Sequence, residues 1–248
     1  MNRKMIRNKL EQMREVYKNT VLIYPRPNDL ETGLYESDIN SVACSLIDGF
    51  CVPKVNNKHD MLQINDSMSE LESKLNLTKN KFKIMAQIET AEGFVNMKEI
   101  FTAGKDRLVA GVFGADDFLT DMGIERKHNI EELDFFRKKL ALHCQAHNIV
   151  SVDTPYVQFK NPEGLKIELE YLKSIGIKAK FAIHPLQVDI INESFQPAEA
   201  EVQYAIKLVE EFEKAMDQGK AAIDFDNKMV DVPVYKRMLN MLKRAGIR

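Results

Sequence analysis

The sequence predicts an α/β fold whose parallel sheet closes as a TIM-type (β/α) barrel. Three observations predict it. Short β-rich apolar runs recur along the chain, longer segments with apolar residues at helical spacing lie between them, and almost every run ends in a residue able to bind or catalyse. Strands alternating with helices imply parallel pairing through right-handed crossovers. An open doubly wound sheet gathers its functional residues at one switch point, whereas a barrel collects every carboxyl-terminal strand end around one mouth. The even spread of end residues favours the barrel.

In order, the runs are TVLIY (20–24), GFCVP (49–53), KIMAQIE (83–89), LVAGVF (108–113), IVSVD (149–153) and KAKFAI (178–183). They are continuous rather than alternating in polarity, as expected of strands covered on both faces. Their ends carry Arg26, Lys54, Glu89, Asp117, Asp153 and His184. Helices are predicted over IEELDFFRKKLALHCQAH (130–147) and over PEGLKIELEYLKSIG (162–176), which stops at a glycine. Two more follow, over about 186–194 and about 198–217, before a final segment, VPVYKRMLNMLKRAGIR. DQGKAAIDFDNKMVDVP, joining the last two, mixes Gly, Asp and Asn with short apolar pieces and predicts a structured loop. No clear second domain stands out.

Composition narrows the function classes. Apolar residues make up 44% and charged residues 29% of 248, an ordinary globular balance with room for a sizeable core. A net charge of −2 gives no concentrated basic surface, so no nucleic-acid partner is expected and a small-molecule partner is favoured. Cys44, Cys51 and Cys144 follow no metal spacing and are expected to be reduced, packed thiols. No window reaches the length of a membrane span and the amino terminus has no apolar signal core, so the expectation is a cytoplasmic protein without membrane contact. Neither G-x-G-x-x-G nor a Walker motif is present, which removes the main support for a nucleotide site.

Glu89 closes MAQIE and Asp117 follows VFGAD, so in a parallel barrel both point into the mouth from adjacent strands. Two oxygen ligands with the remaining positions left to water and substrate suit Mg2+. The plainer reading makes Asp116 or Asp117 a helix cap, or either carboxylate a salt-bridge partner. Lys54 is open to three roles: imine catalyst, phosphate ligand or surface charge. His184, between a buried run and Pro185, fits a base or, more simply, a hydrogen-bonded structural residue. His143 and His147 share a helix face without the H-E-x-x-H pattern, so no metal site is expected there.

The motifs QIETAEG, GADDF, VDTPYVQFKNPEGL, FAIHPLQVDIINESFQP and DNKMVDVP occur in the order and spacing of one family. Over roughly residues 20–246 the chain resembles the citrate lyase beta subunit and its relatives, the citramalyl-, malyl- and citryl-thioester lyases of the HpcH/HpaI aldolase superfamily. The resemblance implies a (β/α)8 barrel, usually assembled as a homotrimer, that holds Mg2+ through Glu89 and Asp117. It implies a carboxyl-terminal lid reaching a neighbouring subunit's mouth, with Asp231 of the K-M-V-D motif as acid/base. It also implies a coenzyme A or acyl-carrier thioester as substrate and, by extension, citrate lyase-type partner subunits. Lys54, Asp153 and His184 are placed by it in the mouth or the thioester channel.

Two departures from the family pattern shape the expectation. Family members begin with a strand reading like F-V-P-G and a second ending in an acidic D-x-E-D cluster. This chain starts at the helix that would follow them, so residues 1–196 are expected to form a barrel lacking its first two strands, and 197–248 a helical lid of the same domain. The family's R-x-N-P arginine position falls on Tyr24. Arg26 lies two residues on and shares a strand face with it if the backbone stays extended, which makes it the substitute clamp. Two function classes follow: a Mg2+-dependent lyase acting on a 3-hydroxyacyl thioester, and a non-catalytic relative that binds thioesters or serves assembly. A metal-dependent pyruvate aldolase fits the carboxylate pair but not the lid motif.

Overall fold

The computed structural model describes residues 3–18, 20–127 and 131–247. These fall into two compact units, Met1–Gln187 and Val188–Arg248. Asn2 and Ile130, where the predicted first helix and the predicted 130–147 helix begin, lie outside the described residues.

The first unit opens with α1 (Arg3–Tyr17) and α2 (Tyr35–Val42) and continues as a strand–helix alternation. Its elements are β1 (Gly49–Val52), α3 (Lys58–Lys74), β2 (Lys83–Ile88), α4 (Ala91–Ala103), β3 (Leu108–Phe113), α5 (Ala115–Asp121), α6 (Glu131–Ala146), β4 (Val150–Asp153), α7 (Pro162–Ser174) and β5 (Ala179–Lys180). All four pairings are parallel and the strand order is β1-β2-β3-β4-β5, so chain neighbours are sheet neighbours. That is the parallel α/β arrangement the alternation of runs predicted.

The register sorts the side chains onto two faces, because successive residues of a strand point to opposite sides. Cys51 pairs with Met85, Met85 with Ala110, Gln87 with Val112, and Val112 with Val152. This face carries a core of Cys51, Ala110, Val112 and Val152, against which Tyr24, Met85, Ala179 and Phe181 pack. The opposite face carries Phe50, Val52, Ile84, Ala86, Ile88 and Phe113, all buried, and helices α4 and α6 pack on the sheet. A one-residue shift between β2 and β3 skips Val109, and it decides which β3 residues share the face of Gln87.

One predicted strand is replaced. Residues 20–24 form no ladder; beside β1 the backbone accepts from Asp48 N at Ile23 O (3.0 Å) and from Cys51 N at Pro25 O (3.1 Å), while Ile23 N donates to the Asp48 side chain at 2.8 Å. Pro25 and Pro27 have no N–H, so at those two positions the stretch has no backbone donor for a ladder.

The second unit contains α8 (Val188–Phe195), α9 (Glu199–Asp217), β6 (Ala222–Phe225), β7 (Lys228–Asp231) and α10 (Val232–Arg244). The predicted loop proves to be an antiparallel hairpin, β6 with β7. Its two-residue turn, Asp226-Asn227, has φ of 54° and 57°, the left-handed pair that matches strand twist and that Asp and Asn tolerate best among side-chain-bearing residues. Leu208, Phe212 and Val230 form its core, and Phe212 stacks on Tyr235 of α10 at 4.9 Å.

Candidate active site

Three loops at the carboxyl ends of β1, β2 and β3 line one cleft of about 350 Å³, whose walls include Lys54, Asn56, Glu89, Thr90, Asp117 and Asp121. Local capping shapes these loops. Asn57 and Asp60 form a reciprocal capping box at the start of α3, and Thr90 caps α4 by accepting from Gly93 N. Thr90 Oγ1 donates to Asn56 Oδ1 at 2.6 Å, and Asp121 accepts from Ala91 N at 2.8 Å, so each loop is tied to the next.

Glu89 is 2% exposed yet faces this cleft. Its Oε1 accepts from Lys54 N at 3.0 Å and its Oε2 from Gln87 Nε2 at 2.6 Å. Lys54 can aim its amide there because its backbone is left-handed, φ 48°. Gly114 leaves the space in which the carboxylate sits: a Cβ there would stand 2.1 Å from Glu89 Oε2. Burial and then the charge of Asp117 push the Glu89 carboxyl up to about 7, against the opposing effects of the Lys54 hydrogen bond and of the Arg26 and Lys54 charges.

Asp117 is exposed at the third position of α5, beside Phe118, which anchors the helix. Phe118 is fully buried among Phe94, Phe113 and Phe136, with ring centroids 4.7, 5.7 and 4.4 Å away. The helix cap is Gly114 and no side chain caps it, so Asp116 does not play that part; it pairs with Arg126 instead. Both aspartates sit in the first turn, where the helix dipole favours negative charge.

The structure therefore brings Lys54, Glu89 and Asp117 to one cleft, with Arg26, itself exposed, close enough for its charge to act on Glu89. Lys54 Nζ lies 3.7 Å from Asp29. Two other predicted residues of this unit, Asp153 and His184, are placed outside the cleft. Asp153, wholly buried, shares the helix-covered face of the sheet with Lys180, which it meets at 2.6 Å, and with Arg137 of α6 at 2.9 Å. Glu168 of α7 completes that cluster, 2.6 Å from Lys180. Burial is outweighed by the two cations, which hold the Asp153 carboxyl below its ordinary range. His184 stacks on Phe159 at 4.8 Å and accepts from Leu186 N at 3.2 Å, the structural alternative weighed for it. Asp231, in the second unit, caps α10 by accepting from Val234 N at 3.3 Å.

Gln87 and Gly114 are among the site residues that sequence reasoning did not single out, with Asn56, Thr90 and Asp121 of the cleft wall. Gln87 is a polar residue inside an otherwise apolar run, and that was its one available signal. As a metal centre, the donor set fits a hard cation: two carboxylates face one cleft, and each Glu89 oxygen has a single protein donor. Among the described residues no three His, Cys, Asp or Glu side chains cluster as ligands, so an ion held here would keep water or substrate oxygens, as Mg2+ does.

The chain matches the family described as HpcH/HpaI aldolase/citrate lyase over residues 1–185. It belongs to that family. The citrate lyase subunit beta of Haemophilus influenzae is 31% identical over 224 residues, covering 90% of this chain and 76% of that protein. The mitochondrial citramalyl-CoA lyase of Rattus norvegicus is 27% identical, covering 89% and 68%. Among solved structures, protein CitE of Mycobacterium tuberculosis, in complex with magnesium, acetoacetate and coenzyme A, superposes with a TM-score of 0.68 at 23% identity, covering 89% of this chain and 77% of that one. A citrate lyase of Burkholderia xenovorans superposes with a TM-score of 0.80 at 14% identity, covering 99% and 89%. The last two speak to the fold. Among the described residues no helix is long and apolar enough to cross a membrane.

Proposed function

We propose that this family member is a carbon–carbon lyase that cleaves a 3-hydroxyacyl coenzyme A or acyl-carrier thioester, of the citryl, citramalyl or malyl type, into an acetyl thioester and a 2-keto acid. One observation carries the reading: Glu89 and Asp117, which follow consecutive strands, line one cleft with the Lys54 and Arg26 charges close by. In the reaction the bond between the second and third acyl carbons breaks. The hydroxyl proton leaves, the third carbon becomes a carbonyl, and the bond electrons pass to the thioester half as an enolate. A proton delivered to its carbon then gives the acetyl thioester.

Glu89 and Asp117 would hold Mg2+, which when bound polarises the oxygens of the keto-acid half. Lys54 and Arg26 supply positive charge for a substrate carboxylate. Asp231, on the 197–248 lid, handles the proton at a neighbouring copy's mouth in a trimer, and its role as a helix cap fixes its orientation. The relatives named above as citrate lyase subunit and citramalyl-CoA lyase support the thioester class.

A second reading, a non-catalytic thioester-binding or assembly relative, also has an observation behind it: Asp153 and His184 are engaged in internal contacts rather than in the cleft. One assay separates the two. The purified chain, with Mg2+, is offered citramalyl-, malyl- and citryl-CoA beside Asp117→Ala and Asp231→Ala. Turnover that both variants abolish is the expected result. Turnover unchanged in both would remove the site assignment, and no turnover together with no Mg2+ uptake by calorimetry would leave the non-catalytic reading.

A further inference from the structure

Gln87 is 5% exposed, on the face of β2 that looks away from the helices, and lies two residues before Glu89. Its amide faces two ways. Nε2 donates to Glu89 Oε2 at 2.6 Å, while Oε1 lies 3.8 Å from Cys51 Sγ, which is placed to donate to it. Burial pushes the Cys51 thiol up to about 12, so it stays protonated and remains a donor, which selects the amide orientation with its nitrogen toward Glu89. Lys54 N holds the other oxygen of the same carboxylate at 3.0 Å, and the missing Cβ of Gly114 lets the carboxylate lie against β3. Both tethers are uncharged. They fix the carboxylate without neutralising it, and they leave its remaining lone pairs for a cation.

We infer that Gln87, oriented by Cys51, is a positioning residue that presents the Glu89 carboxylate to a divalent cation shared with Asp117. The inference rests on the metal role proposed above. Gln87 makes no contact with substrate; it acts through Glu89, as hydrogen-bond partners behind metal ligands generally do, with effects on affinity of about ten- to a hundredfold. A leucine or methionine here would fill the same volume but strand Oε2 without its donor. A glutamate would turn the donor into an acceptor and set a third carboxyl against the pair.

The experiment is Mg2+ titration by isothermal calorimetry of the full chain, Gln87→Met, Gln87→Glu and Glu89→Gln, with the unfolding temperature of each chelator-treated protein recorded alongside. Gln87→Met is expected to weaken Mg2+ binding about tenfold or more, while keeping its metal-free unfolding temperature, which a purely structural residue would not do. Gln87→Glu is expected to lose more. Mg2+ affinity of Gln87→Met within twofold of the unmodified chain, with Glu89→Gln failing to bind, overturns the inference and leaves the metal site standing. Should Gln87→Met not fold, unchanged affinity in Gln87→Glu overturns it equally. Absence of Mg2+ uptake by the unmodified chain removes the metal reading itself, and this inference with it.

Discussion

Glu89 and Asp153 end two strands of the same sheet, and both are almost wholly withdrawn from solvent, yet their surroundings push their carboxyls in opposite directions. Glu89 lies toward the cleft with one backbone and one amide donor, another carboxylate nearby, and two cations that reach it only at a distance. Asp153 lies on the helix-covered face with Arg137 and Lys180 in direct contact. A buried carboxylate whose charge is answered in full is a structural element; one whose charge is left partly unanswered is a place for something else to bind. The difference between the faces thus separates the part of this sheet that holds the fold from the part proposed above to hold a ligand.

The largest expected effect tests the first half of that comparison. Asp153→Ala leaves two buried cations, Arg137 and Lys180, with Glu168 as their one remaining anion in the cluster, and should cost about 3–5 kcal/mol in urea unfolding at neutral pH. Because the folded carboxyl is held below its unfolded value, the stability it contributes is present above the ordinary carboxylate range and fades as pH falls through the folded value. The penalty of Asp153→Ala should therefore shrink in acid. A penalty under about 1 kcal/mol, the scale of an exposed pair, would break the contrast.

Glu89→Gln should do the reverse in the metal-free protein. Its folded carboxyl stands at about 7 against an ordinary 4.5, so the unmodified chain loses stability as pH rises through that window, where folding must take back a proton that the unfolded chain has already lost. The substitution should have no effect near pH 4 and gain up to roughly 3 kcal/mol above pH 7 in chelator-treated samples. Destabilisation at pH 8 would show that the cleft satisfies this charge after all.

The smallest effect concerns Lys54. Its tether to Glu89 is the backbone N–H, and its φ of 48° suits glycine, so Lys54→Gly should change stability by about 1 kcal/mol or less and leave Mg2+ affinity intact. Lys54→Pro, which removes the N–H, should weaken Mg2+ binding measurably. Equal calorimetric losses in both variants would move the tether's importance from backbone to side chain.

The parallel order, and the meeting of Glu89 with Asp117, were legible because continuous apolar runs and strand ends survive as sequence patterns. Facing was not. When both faces of a strand are covered, V-S-V-D gives no clue to which side Asp153 takes, and the register shift that skips Val109 leaves no mark on composition. Pro25 and Pro27 were visible, but their consequence, a segment beside β1 that forms no ladder, depends on what lies beside it. The hairpin turn at Asp226-Asn227 was the most readable of the missed features, since two turn formers between short apolar pieces are a hairpin signal in themselves.

Consecutive strand order has a kinetic corollary. Glu89 and Asp117 belong to a single strand–helix–strand segment, β2-α4-β3 with the start of α5, so the loop that must close to bring them together is short and its entropy cost modest. During synthesis this segment leaves the ribosome before α6, whose Phe136 later seals the aromatic cluster beneath α5. The carboxylate pair is thus set by near-neighbour contacts, and the rest of the chain closes around it.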